Sequence, residues 1–207
     1  MVYDAVLFDF DGVLADTEPL HCAAWQRALE PLGITFDWDF YRSEAIGISD
    51  ADLLALLARR SRPPMPAEAL WQCYPRKRDI FLKLALADPP IPPAVRNLIQ
   101  ELNHHKLAVV TSTSRSEVEP VLAAAGLWPY FQVIITAEDV AAHKPDPEPY
   151  LTAARRLGCK RGLAVEDSQA GAAAARAAGL DVLQVKGPSE LIGKLGAALE
   201  VGAAQVR

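Results

Sequence analysis

Short apolar runs recur along the chain, at residues 6–8, 107–110, 133–135, 163–165 and 182–185, and from residue 107 onward they alternate with helical patterns. The helical patterns at 117–125, 149–157 and 169–178 each run into a glycine, Gly126, Gly158 or Gly179, where a helix is expected to stop. This alternation predicts an α/β fold with a doubly wound parallel sheet, in which ligands bind outside the carboxyl ends of the strands. Four polar clusters fall at such ends: Asp9 with Asp11, Thr111 to Ser114, His143 with Lys144, and Glu166 to Ser168.

Between about Pro19 and Leu86 the rhythm breaks. Helical patterns at 20–32, 50–60 and 67–86 follow one another through links containing Gly33, Gly47 and Pro63-Pro64, and Pro75 predicts a kink or two shorter helices in the third. The Pro-rich stretch Asp88-Pro89-Pro90-Ile91-Pro92-Pro93 follows, and is expected to be a stiff, extended hinge arm. The predicted organisation is a Rossmann-like core of residues 1–16 and 87–207, with an all-helical domain, residues 17–86, inserted after the first strand.

The formal net charge of −5 argues against a general nucleic-acid binder, which carries a basic stripe. The local basic clusters Arg59-Arg60 and Arg76-Lys77-Arg78 suit a small anion better. Cys22, Cys73 and Cys159 are odd in number and far apart, as scattered thiols in a reducing compartment would be. Asp4, Asp9 and Asp11 interrupt any signal-peptide pattern, and no apolar run approaches the ~20 residues of a spanning helix. The expectation is a cytoplasmic protein, monomeric by default, that engages neither membrane nor nucleic acid.

Asp9 and Asp11 stand one residue apart at the mouth of an apolar strand, and Gly12 turns the chain immediately after them. Two acids placed there repel each other and lose hydration, so they call for a cation or a shared proton. Either a metal sits there, or one carboxylate attacks while the other handles the proton.

In order, Asp9-Phe10-Asp11-Gly12-Val13-Leu14, Thr111, Lys144-Pro145-Asp146-Pro147, and Glu166-Asp167-Ser168 with Ala170-Gly171 resemble the four motifs of the haloacid dehalogenase-like hydrolase superfamily. The nearest likeness is its branch of sugar phosphatases and beta-phosphoglucomutase with a helical cap, and it fades after about Val185. The resemblance implies that Asp9 is the nucleophile, forming an aspartyl-phosphate. It implies that Asp11 is the general acid and base, that Thr111 donates to phosphate, and that Lys144 balances the charge. It further implies a magnesium ion held by Asp9, the backbone carbonyl of Asp11 and Asp167, with Glu166 nearby. Substrate contacts are expected from Gly12, Thr111, Ser112 and Lys144, and from His21 and Lys77 in the cap.

The implied activity is magnesium-dependent hydrolysis of a small phosphorylated metabolite such as a sugar phosphate. A beta-phosphoglucomutase-like mutase is the alternative, and a catalytically silent phosphate- or metal-binding regulator is another. Gly47-Ile48-Ser49-Asp50 resembles the cap's specificity loop, where the mutases carry an arginine and this chain has Asp50. Ser168 is expected to cap the helix after the fourth motif. His104-His105 are expected to be solvated, and Trp25, Trp71 and Trp128 to be core residues.

Overall fold

The computed structural model describes residues 3–46 and 48–204, so Gly47 of the predicted specificity loop lies outside the described residues. The chain divides into two compact units, Met1–Asp16 with Pro89–Arg207, and Thr17–Asp88.

Strand β1 (Ala5–Phe8) belongs to the first unit, and all four of its residues are buried. The second unit begins with α1 (Glu18–Leu29), extended by one 3-10 turn that ends at Gly33. A helix absent from the sequence expectation follows, α2 (Trp38–Glu44), started by the Asp37 carboxylate, which accepts the Phe40 N–H at 2.8 Å. Ser49 caps α3 (Asp50–Arg60), accepting the Asp52 N–H at 3.1 Å. The pattern at 67–86 resolves into two helices, α4 (Ala67–Trp71) and α5 (Tyr74–Ala87). Pro75 lies in the first turn of α5, where a missing N–H leaves no helical bond unmade. Trp25, Leu29, Leu53, Leu54, Leu57 and Leu70 form the core of this unit. Trp71, expected in the core, is 43% exposed and stacks on Tyr74 at its surface.

Where the chain returns, the Asp16 N–H donates to the Pro90 carbonyl at 2.9 Å, tying the two connecting strands of chain together. The last prolines of the Pro-rich stretch open a helix, α6 (Pro93–Glu101), instead of continuing as an extended arm. Then follow β2 (Lys106–Val110), α7 (Arg115–Ala124), β3 (Val133–Ile135), α8 (Glu148–Leu157), β4 (Gly162–Glu166), α9 (Gln169–Ala177), β5 (Asp181–Gln184) and α10 (Pro188–Ala204).

Among the described residues the strands make one parallel five-stranded sheet in the order β3-β2-β1-β4-β5. Leu7 pairs with Ala108 on one side and Ala164 on the other, which makes β1 the central strand. Central strands covered on both faces read as continuous apolar runs rather than alternating ones, and β1, β2 and β4 do so. The chain leaves β1 to one side for β2 and β3, then crosses to the other for β4 and β5. The carboxyl ends of β1, β2 and β4 therefore flank the switch point, the place where such sheets bind ligands.

Two further expectations need correction in this unit. Trp128, in a 3-10 turn, is 39% exposed, and His105 is buried against its neighbours at the turn into β2. The His105 N–H donates to the Leu102 carbonyl, and burial holds its imidazole below the usual histidine range. Cys22, Cys73 and Cys159 are all unpaired thiols. No described helix is long and apolar enough to cross a membrane.

Candidate active site

Beyond Phe8 the chain turns back on itself. The Phe10 carbonyl accepts the N–H groups of Leu14 and Ala15 at 3.0 Å each, and the Gly12 N–H donates to the Ala15 carbonyl at 2.8 Å. This turn sets Asp9 and Asp11 at the carboxyl end of the central strand. Gly12 has φ +70°, and a β-carbon on it would overlap the Asp167 carboxylate, so only glycine suits both the turn and the neighbour.

Asp9 is buried, with Oδ1 accepting the Phe10 N–H at 2.8 Å and lying 3.1 Å from Lys144 Nζ. Lys144 also donates to the Val110 carbonyl at 2.9 Å and to Glu166 Oε1 at 2.6 Å, so its three donors are engaged on three strand ends. Glu166, fully buried at the end of β4, also accepts from Tyr150 Oη at 2.6 Å. Its other oxygen accepts from the Ser168 hydroxyl at 3.1 Å. Ser168 in turn accepts the Gly171 N–H at 3.0 Å and caps α9 as expected. A side chain at Gly171 would collide with the Glu166 carboxylate, which explains the small residue in the first turn of that helix.

Asp11 Oδ2 receives the Thr111 hydroxyl at 3.3 Å and the Thr113 hydroxyl at 2.5 Å. Thr111 is itself fixed: its N–H donates to Ile135, and its hydroxyl accepts the Thr113 N–H at 3.0 Å.

The electrostatics follow from this crowding. Burial, reinforced by Glu166, Asp167 and Asp11 against the opposing pull of Lys144, holds the Asp9 carboxyl well above the usual range. Partial desolvation, with Glu166 nearby, pushes Asp167 up to about 6. Burial alone would lower Lys144, but Asp9 and Glu166 hold it above its ordinary value. Single carboxylate oxygens of Asp9, Glu166 and Asp167 all lie within 4.8 Å of one another. Hard oxygen donors converging at this spacing suit a small divalent cation such as magnesium. Both Glu166 oxygens are already engaged by Lys144, Tyr150 and Ser168, so Asp9 and Asp167 are the better placed to ligate directly.

A sequence profile of the haloacid dehalogenase-like hydrolases matches residues 6–185. The chain belongs to that family. Among its relatives is the phosphorylated carbohydrates phosphatase of Thermotoga maritima, 32% identical over 181 residues, covering 86% of this chain and 82% of that one. The fructose-1-phosphate phosphatase of Escherichia coli is 30% identical over 188 residues, covering 89% and 97%. The solved structure of CbbY from Rhodobacter sphaeroides in complex with phosphate superimposes with a TM-score of 0.75 at 32% identity, over 87% of this chain and 84% of the other.

Within this haloacid dehalogenase-like enzyme, the carboxyl end of the sheet gathers Asp9, Asp11, Gly12, Thr111, Lys144, Glu166 and Asp167. Ser112 stands beside them in sequence but is exposed, with no hydrogen-bond partner among the described residues. His21 and Lys77 belong to the other unit. There the His21 ring stacks on Phe81 at 4.2 Å. Lys77 is fully buried, pairs with Asp50 at 3.0 Å and lies 5.6 Å from the rings of Trp25, Tyr74 and Phe81.

Two participants escaped the sequence reading. Thr113 lies within the polar stretch 111–114 that the sequence marks, but it stands in the bend beyond β2, where no strand alternation separates it from Ser112. Tyr150 sits on α8 in a helical pattern, and only its burial shows that its hydroxyl must find a partner.

Proposed function

We propose that this hydrolase is a magnesium-dependent phosphatase of a small phosphorylated metabolite, a sugar phosphate, acting through an aspartyl-phosphate on Asp9. The observation that carries the reading is the division of labour between two neighbouring carboxylates. Asp9 is anchored through Oδ1 to Phe10 N–H and Lys144, while Asp11 is held through Oδ2 by two threonine hydroxyls. This difference supports Asp9 as the fixed nucleophile and Asp11 as the proton carrier.

In the first step an Asp9 carboxylate oxygen attacks phosphorus as the bond to the leaving oxygen breaks, and Asp11 gives that oxygen its proton. In the second, water attacks the aspartyl-phosphate, Asp11 takes the water's proton, and inorganic phosphate leaves with Asp9 restored. Thr111 and the exposed Ser112 offer hydroxyls to the phosphoryl oxygens, and Gly12 allows close approach of backbone. Lys144 sets its positive charge against Asp9 and Glu166, beside the anionic substrate. Asp9, the Asp11 carbonyl and Asp167 would hold magnesium, with Glu166 orienting Lys144 and Ser168 around them. When bound, the cation offsets the charge of carboxylates and phosphate and polarises the phosphoryl group.

Relatives named as phosphatases of phosphorylated carbohydrates and of fructose 1-phosphate support a sugar phosphate as substrate. Hydrolysis is preferred over phosphosugar transfer because Asp50 stands where the resembling mutases carry an arginine. Its carboxylate is taken up by Lys77 and by Trp25 Nε1 at 2.7 Å. His21 and Lys77 are assigned to the substrate side of the cap on the family resemblance. The test is phosphate release from p-nitrophenyl phosphate and a panel of sugar phosphates with magnesium. Hydrolysis without a bisphosphate requirement is expected. Strict dependence on a sugar bisphosphate without phosphate release would favour the mutase, and inactivity throughout would favour a silent regulator.

A further inference from the structure

Asp11 has to meet two partners in succession, first the leaving oxygen and then a water. Its carboxylate stands on a turn and is only half-buried, so torsional freedom would let it drift from both. The Thr113 hydroxyl donates to Asp11 Oδ2 at 2.5 Å, at the short end for a bond from a hydroxyl to a carboxylate, whereas Thr111 reaches the same oxygen at 3.3 Å. Thr113 is pinned on both sides of its Cα. Its N–H donates to the Thr111 hydroxyl at 3.0 Å, and its carbonyl accepts the Ala137 N–H at 3.3 Å. Its backbone is therefore held by the ends of both β2 and β3.

From this geometry we propose that Thr113 is the positioning residue for Asp11, holding Oδ2 so that the other carboxylate oxygen faces the leaving group and then the water. The proposal rests on the phosphatase reading above, in which Thr111 turns its hydroxyl to the substrate phosphate. The longer Thr111 bond is the one released at that point, and the shorter Thr113 bond keeps Asp11 in place. Small displacements of a reacting group are expensive: about 1 Å can cost on the order of 10²-fold in rate.

The readout that separates positioning from phosphate binding or folding is leaving-group dependence. kcat/KM reports formation of the aspartyl-phosphate, and that step needs Asp11 as an acid for a sugar phosphate far more than for p-nitrophenyl phosphate, whose leaving oxygen departs without help. Thr113→Val is expected to lower kcat/KM about 10-fold for a sugar phosphate and less than about 3-fold for p-nitrophenyl phosphate, with Thr113→Ser restoring both. If Thr113→Val does not fold, Thr113→Ala is read in the same way. An equal loss across leaving groups, no loss, or failure of serine to rescue overturns the proposal. Asp11→Asn measured in parallel keeps the two claims apart. A steep leaving-group dependence there with a flat one for Thr113→Val sinks Thr113 alone, whereas a flat response in Asp11→Asn sinks the acid role of Asp11 and this proposal with it.

Discussion

The Lys144 ammonium lies 3.1 Å from the Asp9 carboxylate, with the side chains only 7% and 12% exposed. Glu166, at 2.6 Å, shares the same ammonium. One cation thus serves two carboxylates, and removing it leaves both uncompensated. Lys144→Met is expected to lower stability by about 3–5 kcal/mol, as breaking a buried ion pair does. It should lower kcat by about 10²-fold or more, in line with the loss of a preorganised charge contact. Thermal melts and phosphate-release kinetics check both, and a variant as stable as the parent would contradict the charge-sharing account.

Tyr150 acts one residue further out. Its hydroxyl donates to Glu166 Oε1 at 2.6 Å, and its ring lies 5.3 Å from Lys144 Nζ. Tyr150→Phe keeps the ring and removes the bond, for a stability loss of about 1–3 kcal/mol. Glu166 in turn orients Lys144 beside Asp9, and groups that orient metal ligands from behind typically govern metal affinity by about 10–100-fold. A magnesium titration of activity should show a weakened half-saturation in this range, and an unchanged one would mean that Glu166 needs no such support.

The acidic cluster also fixes a pH dependence. Asp167 is pushed up to about 6 in the folded chain, above the ordinary aspartate range, because partial desolvation and Glu166 disfavour its charge. The folded state therefore binds its proton more tightly than the unfolded state does. The resulting stability is full below about pH 4 and is lost as the pH rises through about 6. Magnesium binds the ionised form, so the rise in Tm on adding magnesium should be small near pH 5 and grow through pH 7. A magnesium-induced Tm shift independent of pH over this window would count against Asp167 as a ligand.

In the helical unit, Asp50 accepts Trp25 Nε1 at 2.7 Å and Lys77 Nζ at 3.0 Å, joining α1, α3 and α5. Asp50→Ala takes away both acceptors at a site that is 28% exposed, for an expected loss of about 1–3 kcal/mol. Asp50→Asn, which keeps an acceptor for Trp25, should lose less. Urea unfolding ranks the three proteins, and equal stabilities would mean that the pair is incidental.

The carboxyl end of the sheet was legible because strand ends are marked twice, by where an apolar run stops and by the polar residues that follow. Asp9, Asp11, Thr111 and Glu166 carried both marks, whereas Lys144, expected at a strand end, lies in the loop between β3 and α8 and was legible only through its Lys-Pro-Asp-Pro motif. Burial off the strands was not marked. Lys77 reads as one basic residue in Arg76-Lys77-Arg78, yet it lies fully buried between aromatic rings, because the face a helical residue presents depends on packing partners distant in sequence. Trp71 and Trp128 failed for the converse reason, since size alone does not place a side chain inside. Helix α2, only seven residues long, has too few turns to show a period, and α6 was masked by prolines that read as an extended arm.

The central claim is covalent: the phosphoryl group rests on Asp9. Asp11→Asn given p-nitrophenyl phosphate should form the aspartyl-phosphate, since that leaving group needs no acid, but should hydrolyse it slowly, since the attacking water lacks its base. Acid quenching followed by peptide mass spectrometry should then find the phosphoryl group on the peptide bearing Asp9. An unmodified Asp9 peptide during turnover, together with activity retained in Asp9→Asn, would contradict the account.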